Sequence, residues 1–360
     1  MGRQGREEAN DSLRELEQLA DTAGAVVVGS ITQRRARPAL RYYIGEGKLS
    51  DIRLACRQTD ANLIIFDNEL SPMQVNNLDL ALGVKVIDRT EVILQIFARR
   101  ARSAESQIQV ELAQLQYLVS RLPVSEKQAR FRGGIGMRGP GESPLRLRNE
   151  PMRRRIRDLQ RKLAVILERR AQTRARRPWP IVALVGYTNA GKSTLLNALA
   201  AGAAAYVDDR LFATLDTKSR LVRLPDGRAA IVSDTVGFIR HLPHGLIASF
   251  RSTLDEVREA DLLLHVADAS HPYVREHCEV VFDTLVEIGA HTIPSLLLLN
   301  KCDLPAAQSV LPALRELFPE ALELSALQRH GLEELKRRIA ARLPRPQTAP
   351  PPSAPATPAP

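Results

Sequence analysis

A glycine-containing stretch at 186–193 carries the residues of this chain that are best suited to chemistry. It reads Gly-Tyr-Thr-Asn-Ala-Gly-Lys-Ser and matches the phosphate-loop pattern G-x-x-x-x-G-K-[ST]. The backbone N–H groups of such a loop turn towards phosphate oxygens, Lys192 would neutralise phosphate charge, and the Ser193 hydroxyl would bind Mg²⁺. An apolar run at 181–185 and an apolar-periodic segment after the loop predict the strand and the helix that this motif needs. We therefore expect nucleotide contacts from Gly186, Tyr187, Thr188, Asn189, Ala190, Gly191, Lys192, Ser193 and Thr194.

Two further segments complete the predicted phosphate side of the site. Asp234-Thr235-Val236-Gly237 follows an apolar strand; Asp234 would hold Mg²⁺ through water, and the Gly237 N–H would reach the γ-phosphate. Thr214 lies between the loop and this motif and is the predicted switch threonine, which closes on Mg²⁺ only when a γ-phosphate is present. We expect Lys192, Thr214 and Gly237 to act in catalysis. The other nucleotide contacts predicted here are Phe212, Ala213, Leu215, Asp216, Thr235 and Val236.

A third set of residues predicts that the base is guanine. Asn300-Lys301-Cys302-Asp303 follows an apolar strand, and the Asp303 carboxylate would accept hydrogen bonds from guanine N1–H and N2–H₂. Adenine has no such pair of donors and would leave the carboxylate desolvated and unpaired. Asn300 would fix the loop, the Lys301 stem would cover the base, and a backbone N–H of the Ser325-Ala326-Leu327 segment would reach guanine O6. The motifs occur in the order that a GTPase needs, so we expect GTP and Mg²⁺ as cofactors.

One position departs from the Ras type of GTPase. A glutamine that orients the attacking water usually follows the glycine of the Asp-x-x-Gly motif, but Phe238 stands here. A phenyl ring cannot orient water, so we expect slow intrinsic hydrolysis and an activating group supplied by a partner. Arg210 and Arg240 are near enough in sequence to be tested as internal activating arginines.

The charge of the chain is concentrated in one segment. The formal net charge is +10, from 51 basic and 41 acidic residues, and positions 146–177 hold 13 basic and 3 acidic residues. The remainder therefore holds 38 of each sign and is balanced. A basic segment in a neutral chain indicates a polyanionic partner, RNA before a membrane surface. The alternative interpretation is a solvated helix face with scattered arginines.

Several function classes lack support in the sequence. No apolar run approaches the roughly 18 residues that a membrane-spanning helix needs, and the N-terminus is polar. The three cysteines, Cys56, Cys278 and Cys302, are far apart and indicate neither disulfides nor a metal site. We expect a cytoplasmic location and leave peripheral membrane association open. Ordinary surface or core roles are expected for the histidines at 241, 244, 265, 271 and 277.

The elements that hold these motifs change character along the chain. In the last third, apolar runs at 261–267 and 295–299 alternate with helical segments, which predicts a doubly wound, mostly parallel sheet. A Pro-Asp-Gly turn at 225–227 predicts a hairpin within it. The predicted segments are a polar N-terminus (1–22), a small α/β domain (23–88), a helical arm (89–177), a P-loop GTPase domain (181–342) and a disordered Pro/Ala-rich tail (343–360).

The N-terminal half is predicted to contain a parallel crossover unit followed by two long helices. Strands are expected at 25–28, 62–66 and 84–87, with a helix that begins at Ser71-Pro72. One long helix is expected from Asp88 or Thr90 to Arg121, and a second from Pro151, as an antiparallel arm. Between the arm helices lies a tip (123–150) that includes Gly133–Gly141, whose glycines and arginines suit close approach to RNA.

Taken together, these motifs resemble the HflX family of ribosome-associated GTPases. The resemblance covers about 25–342 and includes the motifs at 186–194, 212–216 and 234–244, and the segments at 88–90, 109–115 and 133–142. It implies an N-terminal α/β domain with a helical arm, GTP binding with Mg²⁺, and splitting or rescue of stalled ribosomes through the large (50S) subunit. Phe238 is typical of that family. The stretches at 143–152 and 217–219 depart from the family pattern, and no small C-terminal domain is expected after Arg342.

We therefore expect a monomeric GTP-hydrolysing switch that binds the large ribosomal subunit and its rRNA. The helical arm, the Gly133–Gly141 tip and the basic 146–177 segment are the expected contacts, and ribosomes are expected to stimulate hydrolysis. Two alternatives stay open. One is a GTP-gated RNA-binding module with negligible hydrolysis, and the other is an ATP-dependent RNA remodeller that uses the N-terminal domain.

Overall fold

The structure is a computed structural model, and the described residues are 4–121, 144–174, 179–200, 211–212, 215–216, 218–240 and 251–344. The predicted tip from Gly133 to Gly141, the switch residues Ala213 and Thr214, and the tail beyond residue 344 lie outside this range. Within it, no helix combines the length and the apolar character needed to cross a membrane.

The N-terminal part contains the predicted parallel crossover. The elements here are α1 (Gln4–Thr22), α2 (Glu46–Thr59), β1 (Leu63–Phe66), α3 (Pro72–Leu82) and β2 (Lys85–Asp88). Strands β1 and β2 pair in parallel, with Leu63 opposite Lys85, and α3 connects them. Ser71 and Gln74 form a reciprocal capping box at the start of α3, and Gly83 (φ +73°) ends the helix in the left-handed region.

The strand predicted at 25–28 is wrong. This segment has no regular secondary structure, and Val26 and Val28 expose 86% and 55% of their surface. A run of β-branched residues suits a strand only where another strand supplies hydrogen bonds and a packing face. Among the described residues, the N-terminal sheet consists of β1 and β2 alone, and the 25–28 segment does not join it.

Within its described residues, the predicted arm has three helices where two were predicted. The chain turns at 101–103, between α4 (Arg89–Arg100) and α5 (Ala104–Arg121). The Ser103 hydroxyl accepts a hydrogen bond from the Ser106 N–H (3.1 Å), so Ser103 caps a new helix where one continuous helix was predicted. Helix α6 (Pro144–Arg174) starts at Pro144, a residue type that suits the first helical position, and Pro151, the predicted start, lies inside the helix.

The C-terminal part is the predicted doubly wound domain. The elements in its described residues are β3 (Ile181–Gly186), α7 (Lys192–Leu199), β4 (Lys218–Arg223), β5 (Ala229–Asp234), α8 (Arg251–Arg258), β6 (Leu262–Asp268), α9 (Val274–Glu287), β7 (Ser295–Asn300), α10 (Pro305–Leu317), β8 (Leu322–Glu323) and α11 (Leu332–Arg342). The six strands among them have the order β4-β5-β3-β6-β7-β8, and of these only β4 runs antiparallel, as the hairpin partner of β5. The carboxyl ends of β3, β5, β6 and β7 therefore meet at one edge, where open α/β sheets bind ligands.

One hydrophobic cluster joins the two halves of the molecule. It contains Leu19 of α1 and Ile93 of α4 together with Val185 of β3. Phe97 of α4 packs edge-on against Phe212, which belongs to the predicted switch segment, with ring centroids 4.8 Å apart. The N-terminal helices are thus packed directly against the elements that carry the nucleotide motifs.

Candidate nucleotide-binding site

The predicted phosphate loop connects β3 to α7 and is tightly packed at its two glycines. A Cβ added to Gly186 would lie 2.2 Å from the Val266 carbonyl oxygen, and one added to Gly191 would lie 2.3 Å from Asn300 Nδ2. Gly191 also has φ +94°, which side-chain-bearing residues rarely adopt. Only glycine fits at either position, and the bare backbone opens onto the N-terminus of α7, which favours anions.

Lys192 lies across this loop with its charge directed at loop carbonyls. Nζ donates to the carbonyl oxygens of Gly186 (3.0 Å) and Tyr187 (2.7 Å). Burial lowers the pKa of Lys192 to about 8, although the nearby Asp234 carboxylate opposes this shift. A cation that is desolvated and held by neutral carbonyls would be better satisfied by a phosphate, so its setting fits the predicted role.

The two predicted metal ligands within the described residues lie side by side. The Ser193 hydroxyl donates to Asp234 Oδ2 at 2.5 Å. A hydroxyl and a carboxylate oxygen at the edge of a phosphate site are donors that Mg²⁺ accepts, with its remaining ligands supplied by phosphate and water. Thr214, the third predicted ligand, lies outside the described residues. Thr235 instead faces inward, where its hydroxyl donates to the Leu184 carbonyl (2.6 Å).

The Asp-x-x-Gly segment is attached to the phosphate loop by its backbone. Thr188 N–H donates to the Phe238 carbonyl (2.8 Å), and Phe238 N–H donates to the Gly186 carbonyl (3.0 Å). A Cβ on Gly237 would lie 2.9 Å from Thr188 Cα and 3.1 Å from Lys192 Nζ. Gly237 therefore lies next to Lys192, and the Phe238 side chain is buried in the core. The buried Thr188 hydroxyl has no hydrogen-bond partner in the described part of the chain, as expected where a polar ligand belongs.

One amide links the phosphate side to the predicted base side. Asn300 Nδ2 donates to the Ala190 carbonyl (2.9 Å), and its Oδ1 accepts from the Ala326 N–H (3.0 Å). Lys301 has φ +64°, and its Nζ pairs with Asp268 Oδ2 at 2.6 Å. Asn300 thus holds the phosphate loop, the end of β7 and the 325–327 segment in one arrangement.

The other predicted base-side residues differ in exposure. Asp303 is partly buried beside the Asn300 loop, whereas Leu327 exposes 77% of its surface. Ser325 is buried, and its hydroxyl accepts from the Gln328 N–H (3.0 Å). Cys302 faces the protein, where its Sγ contacts the Leu299 carbonyl (3.1 Å) and burial raises its pKa to about 11. The side chain of Asn189, in the middle of the phosphate loop, is exposed, and that of Thr194, the third residue of α7, is partly buried.

The described switch residues contact the helical region. Phe212 and Leu215 are buried, and Asp216 accepts hydrogen bonds at the start of α5 from the N–H groups of Arg102 (3.0 Å) and Ser103 (3.2 Å) and from the Ser103 hydroxyl (2.6 Å). Burial would raise the pKa of Asp216, but these hydrogen bonds outweigh it and hold the pKa below its ordinary value. The structure brings Asp216 to a helix end, a role that the motif pattern does not suggest.

Sequence reasoning missed Asp268 and the acidic residues of α1. Asp268 ends β6, at the sheet edge where ligands bind, so its position after an apolar strand was a usable signal. Asp11 and Glu15 contact Arg240 and Tyr187 from a helix far away in sequence. No local pattern indicates such a contact, because it arises only when the two halves pack together.

Comparisons with known families agree with this geometry. Residues 10–98 match a model described as "GTP-binding GTPase N-terminal", and residues 100–177 match "GTP-binding GTPase Middle Region". Residues 181–301 match "50S ribosome-binding GTPase". A solved structure of SsGBP with GDP has 27% identity and a TM-score of 0.50, over 91% of this chain and 94% of that one. The P-loop GTPase fold with a preceding N-terminal domain and guanine-nucleotide binding are therefore shown.

Curated relatives identify the family. GTPase HflX of Caldanaerobacter subterraneus subsp. tengcongensis is 50% identical over 301 residues, which span 82% of this chain and 70% of the relative. GTPase HflX of Escherichia coli K12 is 44% identical over 338 residues, 92% of this chain and 79% of the relative. The chain therefore belongs to the HflX family of GTPases, which bind and hydrolyse GTP.

Proposed function

We propose that this GTPase is a nucleotide-controlled switch that binds the large ribosomal subunit through its helical arm and splits or rescues stalled ribosomes. The observation that carries the proposal is the contact of Asp216, in the predicted switch segment, with Arg102 and Ser103, the two residues that precede arm helix α5. A change in the switch would act directly on that helix. The description of the matching family model, a 50S ribosome-binding GTPase, supports the choice of partner.

The site residues would bind GTP through donors, acceptors and metal ligands that the fold holds in fixed positions. Lys192 would place its charge on the β- and γ-phosphates, and the Gly237 N–H would meet the γ-phosphate as negative charge develops there. Ser193 and Asp234 would hold Mg²⁺, joined by Thr214 in the GTP state; the ion would neutralise charge on the phosphate oxygens. On the base, Asp303 would accept the two guanine donors, and the Ala326 segment would face O6.

Hydrolysis by the free protein is expected to be slow. Phe238 occupies the position from which a glutamine orients water in other GTPases, and its side chain is buried. Arg240, one candidate for an internal activating group, is paired with Asp11 at 3.1 Å. We infer that the ribosome supplies or releases the missing group, so that hydrolysis accompanies binding.

The outer surface of α6 suits a nucleic-acid partner. Arg153, Arg154, Arg157 and Arg161 are exposed, while Leu159 faces the protein and is buried. Helix α6 packs on α5 through a pair in which Arg155 donates to both Glu111 oxygens (2.7 and 2.8 Å). A helix anchored on one side and basic on the other would contact phosphates, as in sequence-independent RNA binding.

Co-sedimentation of the full chain with 70S ribosomes and separated subunits tests the proposal. It should compare a non-hydrolysable GTP analogue with GDP, at two salt concentrations. We expect binding to the large subunit with the analogue, weaker binding with GDP, and loss at high salt. Equal binding with both nucleotides would contradict control by the nucleotide, and binding to neither subunit would contradict the partner. Phosphate release with and without ribosomes then measures the stimulation.

A further inference from the structure

Tyr187, the second residue of the phosphate loop, is held by a residue from the N-terminal helix. Its hydroxyl donates to Glu15 Oε1 at 2.5 Å and accepts the Arg240 backbone N–H at 2.9 Å. Tyr187 is buried, and Glu15 lies 172 positions away in sequence, on α1. One phenol thus connects the phosphate loop, the segment after the Asp-x-x-Gly motif, and an element outside the GTPase domain.

The Glu15 carboxylate is itself fixed in place. Its second oxygen pairs with Arg89 at 2.5 Å, and Arg89 is only 2% exposed. Arg89 also pairs with Asp67 at 2.8 Å, so two carboxylates hold one buried guanidinium. A carboxylate with both oxygens engaged in a buried network has little freedom to follow a moving partner. Glu15 therefore presents a rigid acceptor to Tyr187.

Tyr187 connects this fixed network to Lys192. Its carbonyl accepts the shorter hydrogen bond of Lys192 Nζ (2.7 Å). Its ring lies flat against His277 of α9, with centroids 3.7 Å apart and planes 2° from parallel. The stack fixes the plane of the ring, and the hydroxyl contacts fix its direction within that plane. The backbone of the loop at Tyr187, and with it Lys192, is positioned from both sides.

We propose that Glu15 is a positioning residue for the nucleotide site, which holds the phosphate loop and the segment at Arg240 in register through the Tyr187 hydroxyl. This inference rests on the proposed assignment of the phosphate loop. It assigns part of the phosphate affinity to a side chain of the N-terminal domain that touches neither nucleotide nor metal. The expected ligand chemistry is that of the diphosphate group, since Glu15 acts on the loop and not on the base side.

The test compares single and double variants of the full chain in a GDP-release assay with a fluorescent GDP. Tyr187→Phe removes the hydroxyl but keeps the ring on His277 and leaves the Glu15–Arg89 pair intact. Glu15→Ala removes the acceptor. We expect Glu15→Ala, which removes one hydrogen bond from the Tyr187 hydroxyl, to release GDP about threefold to tenfold faster than the wild type. Tyr187→Phe also loses the hydrogen bond from the Arg240 N–H and should release GDP at least as fast as Glu15→Ala. The double variant should be no faster than Tyr187→Phe alone.

Two further variants separate positioning from a structural effect. Glu15→Gln keeps an oxygen for the Tyr187 hydroxyl but loses the charge opposite Arg89, so it should lower the melting temperature while GDP release stays near the wild-type rate. Glu17→Ala, at an exposed position of the same helix, is the matched control and should change neither. The same release rate in Glu15→Ala as in the wild type, or effects of Glu15→Ala and Tyr187→Phe that simply add, would overturn the inference. Lys192→Ala, measured alongside, reports on the phosphate loop itself: if it binds GDP normally, the site assignment fails instead.

Discussion

At the scale of single residues, Asn300 connects the predicted base-binding segment with the predicted phosphate loop. Its amide spans from the Ala190 carbonyl of the phosphate loop to the Ala326 N–H of the predicted base segment. Both atoms of the amide group are used, one as a donor and one as an acceptor, so no other side chain of similar size could make both contacts. A disturbance on one side of the site is therefore transmitted to the other.

We propose that base selectivity depends on Asp303. We expect Asp303→Asn to shift preference from GTP towards xanthosine triphosphate, because an amide can donate to the xanthine 2-oxo group where a carboxylate accepts from guanine N2–H₂. Competition binding with both nucleotides measures the ratio of affinities. Tight binding of GTP by the same margin as in the wild type would show that Asp303 does not read the base. Adenosine triphosphate is the control, and the substitution should not improve its binding.

We predict that His277, which stacks on Tyr187 of the phosphate loop, makes the stability of the protein depend on pH. Burial, with smaller contributions from His271 and Arg240, lowers the pKa of His277 to about 3. The unfolded chain takes up this proton near the ordinary pKa of about 6.5, so between the two values the unfolded state binds more protons. The free energy of unfolding should therefore fall as the pH drops below about 6.5, by about 1–2 kcal/mol at about pH 5 from this residue.

Urea denaturation of the wild type and of His277→Gln, at about pH 7.5 and about pH 5, checks this prediction. The variant loses the stack on Tyr187 at both pH values, but it should lose less additional stability on acidification than the wild type does. Carboxylates contribute to acid destabilisation of both proteins equally, so the difference between them isolates His277. An identical pH dependence in the two proteins would contradict the assigned pKa.

At the scale of secondary structure elements, the start of α5 depends on a residue from the GTPase domain. Asp216 accepts two backbone N–H groups and one hydroxyl there, in addition to the local cap by Ser103. We expect Asp216→Ala to lower the free energy of unfolding by about 1 kcal/mol, the usual effect of losing a helix cap. Hydrogen exchange should speed up most in the first turn of α5.

The matched control for this prediction is Asp226→Ala, which removes a carboxylate from the exposed turn between β4 and β5. It should leave exchange in α5 unchanged. If α5 is equally protected in Asp216→Ala and in the wild type, the first turn is held by Ser103 and packing alone. The contact with the switch segment would then carry no influence on the arm.

The same element shows how far sequence reasoning reaches. The strands and helices of the GTPase domain could be predicted from apolar runs and turn residues, because each of them has a local sequence signal. The break between α4 and α5 could not, since the pattern over 88–121 predicts one amphipathic helix and the cap that starts α5 involves Asp216, which is distant in sequence. The 25–28 run fails for a related reason: its residues favour a strand, but pairing is a property of the whole sheet.

The residues of the candidate site also fall into two groups, those that the sequence predicts and those that it does not. Lys192, Asp234 and Asn300 could be predicted because their spacing and the strands before them are local features. The contacts of Glu15 and Asp11 could not, because they depend on how two halves of the chain pack. Sequence motifs thus identify the groups that would touch the nucleotide, whereas the residues that position those groups become visible only in three dimensions.

At the scale of the whole molecule, most of the charge excess lies on one helix, α6. The exposed arginines of α6 predict salt-sensitive binding to rRNA. We expect Arg153→Gln combined with Arg157→Gln to weaken ribosome binding and to make the slope of log affinity against log salt shallower by about one per lost phosphate contact. Titration of large subunits at several salt concentrations measures this slope.

The control for this experiment removes the same number of positive charges from the GTPase domain. Arg275 and Arg337 are exposed on α9 and α11, with 65% and 67% of their side-chain surface accessible. Arg275→Gln with Arg337→Gln should leave the salt slope as in the wild type. Equal weakening by both pairs would indicate a non-specific effect of net charge and would remove α6 from the proposed interface.

The cluster that contains Leu19, Ile93 and Val185 has a practical consequence for anyone who studies this enzyme in pieces. A fragment that starts at Ile181 would expose the apolar surface on which Phe97 packs and would lose Glu15. Such a fragment is expected to aggregate more readily and to release nucleotide faster than the intact chain. Kinetic constants from the isolated domain would therefore describe a different enzyme, and inhibitors selected against it could recognise a surface that the intact protein never presents.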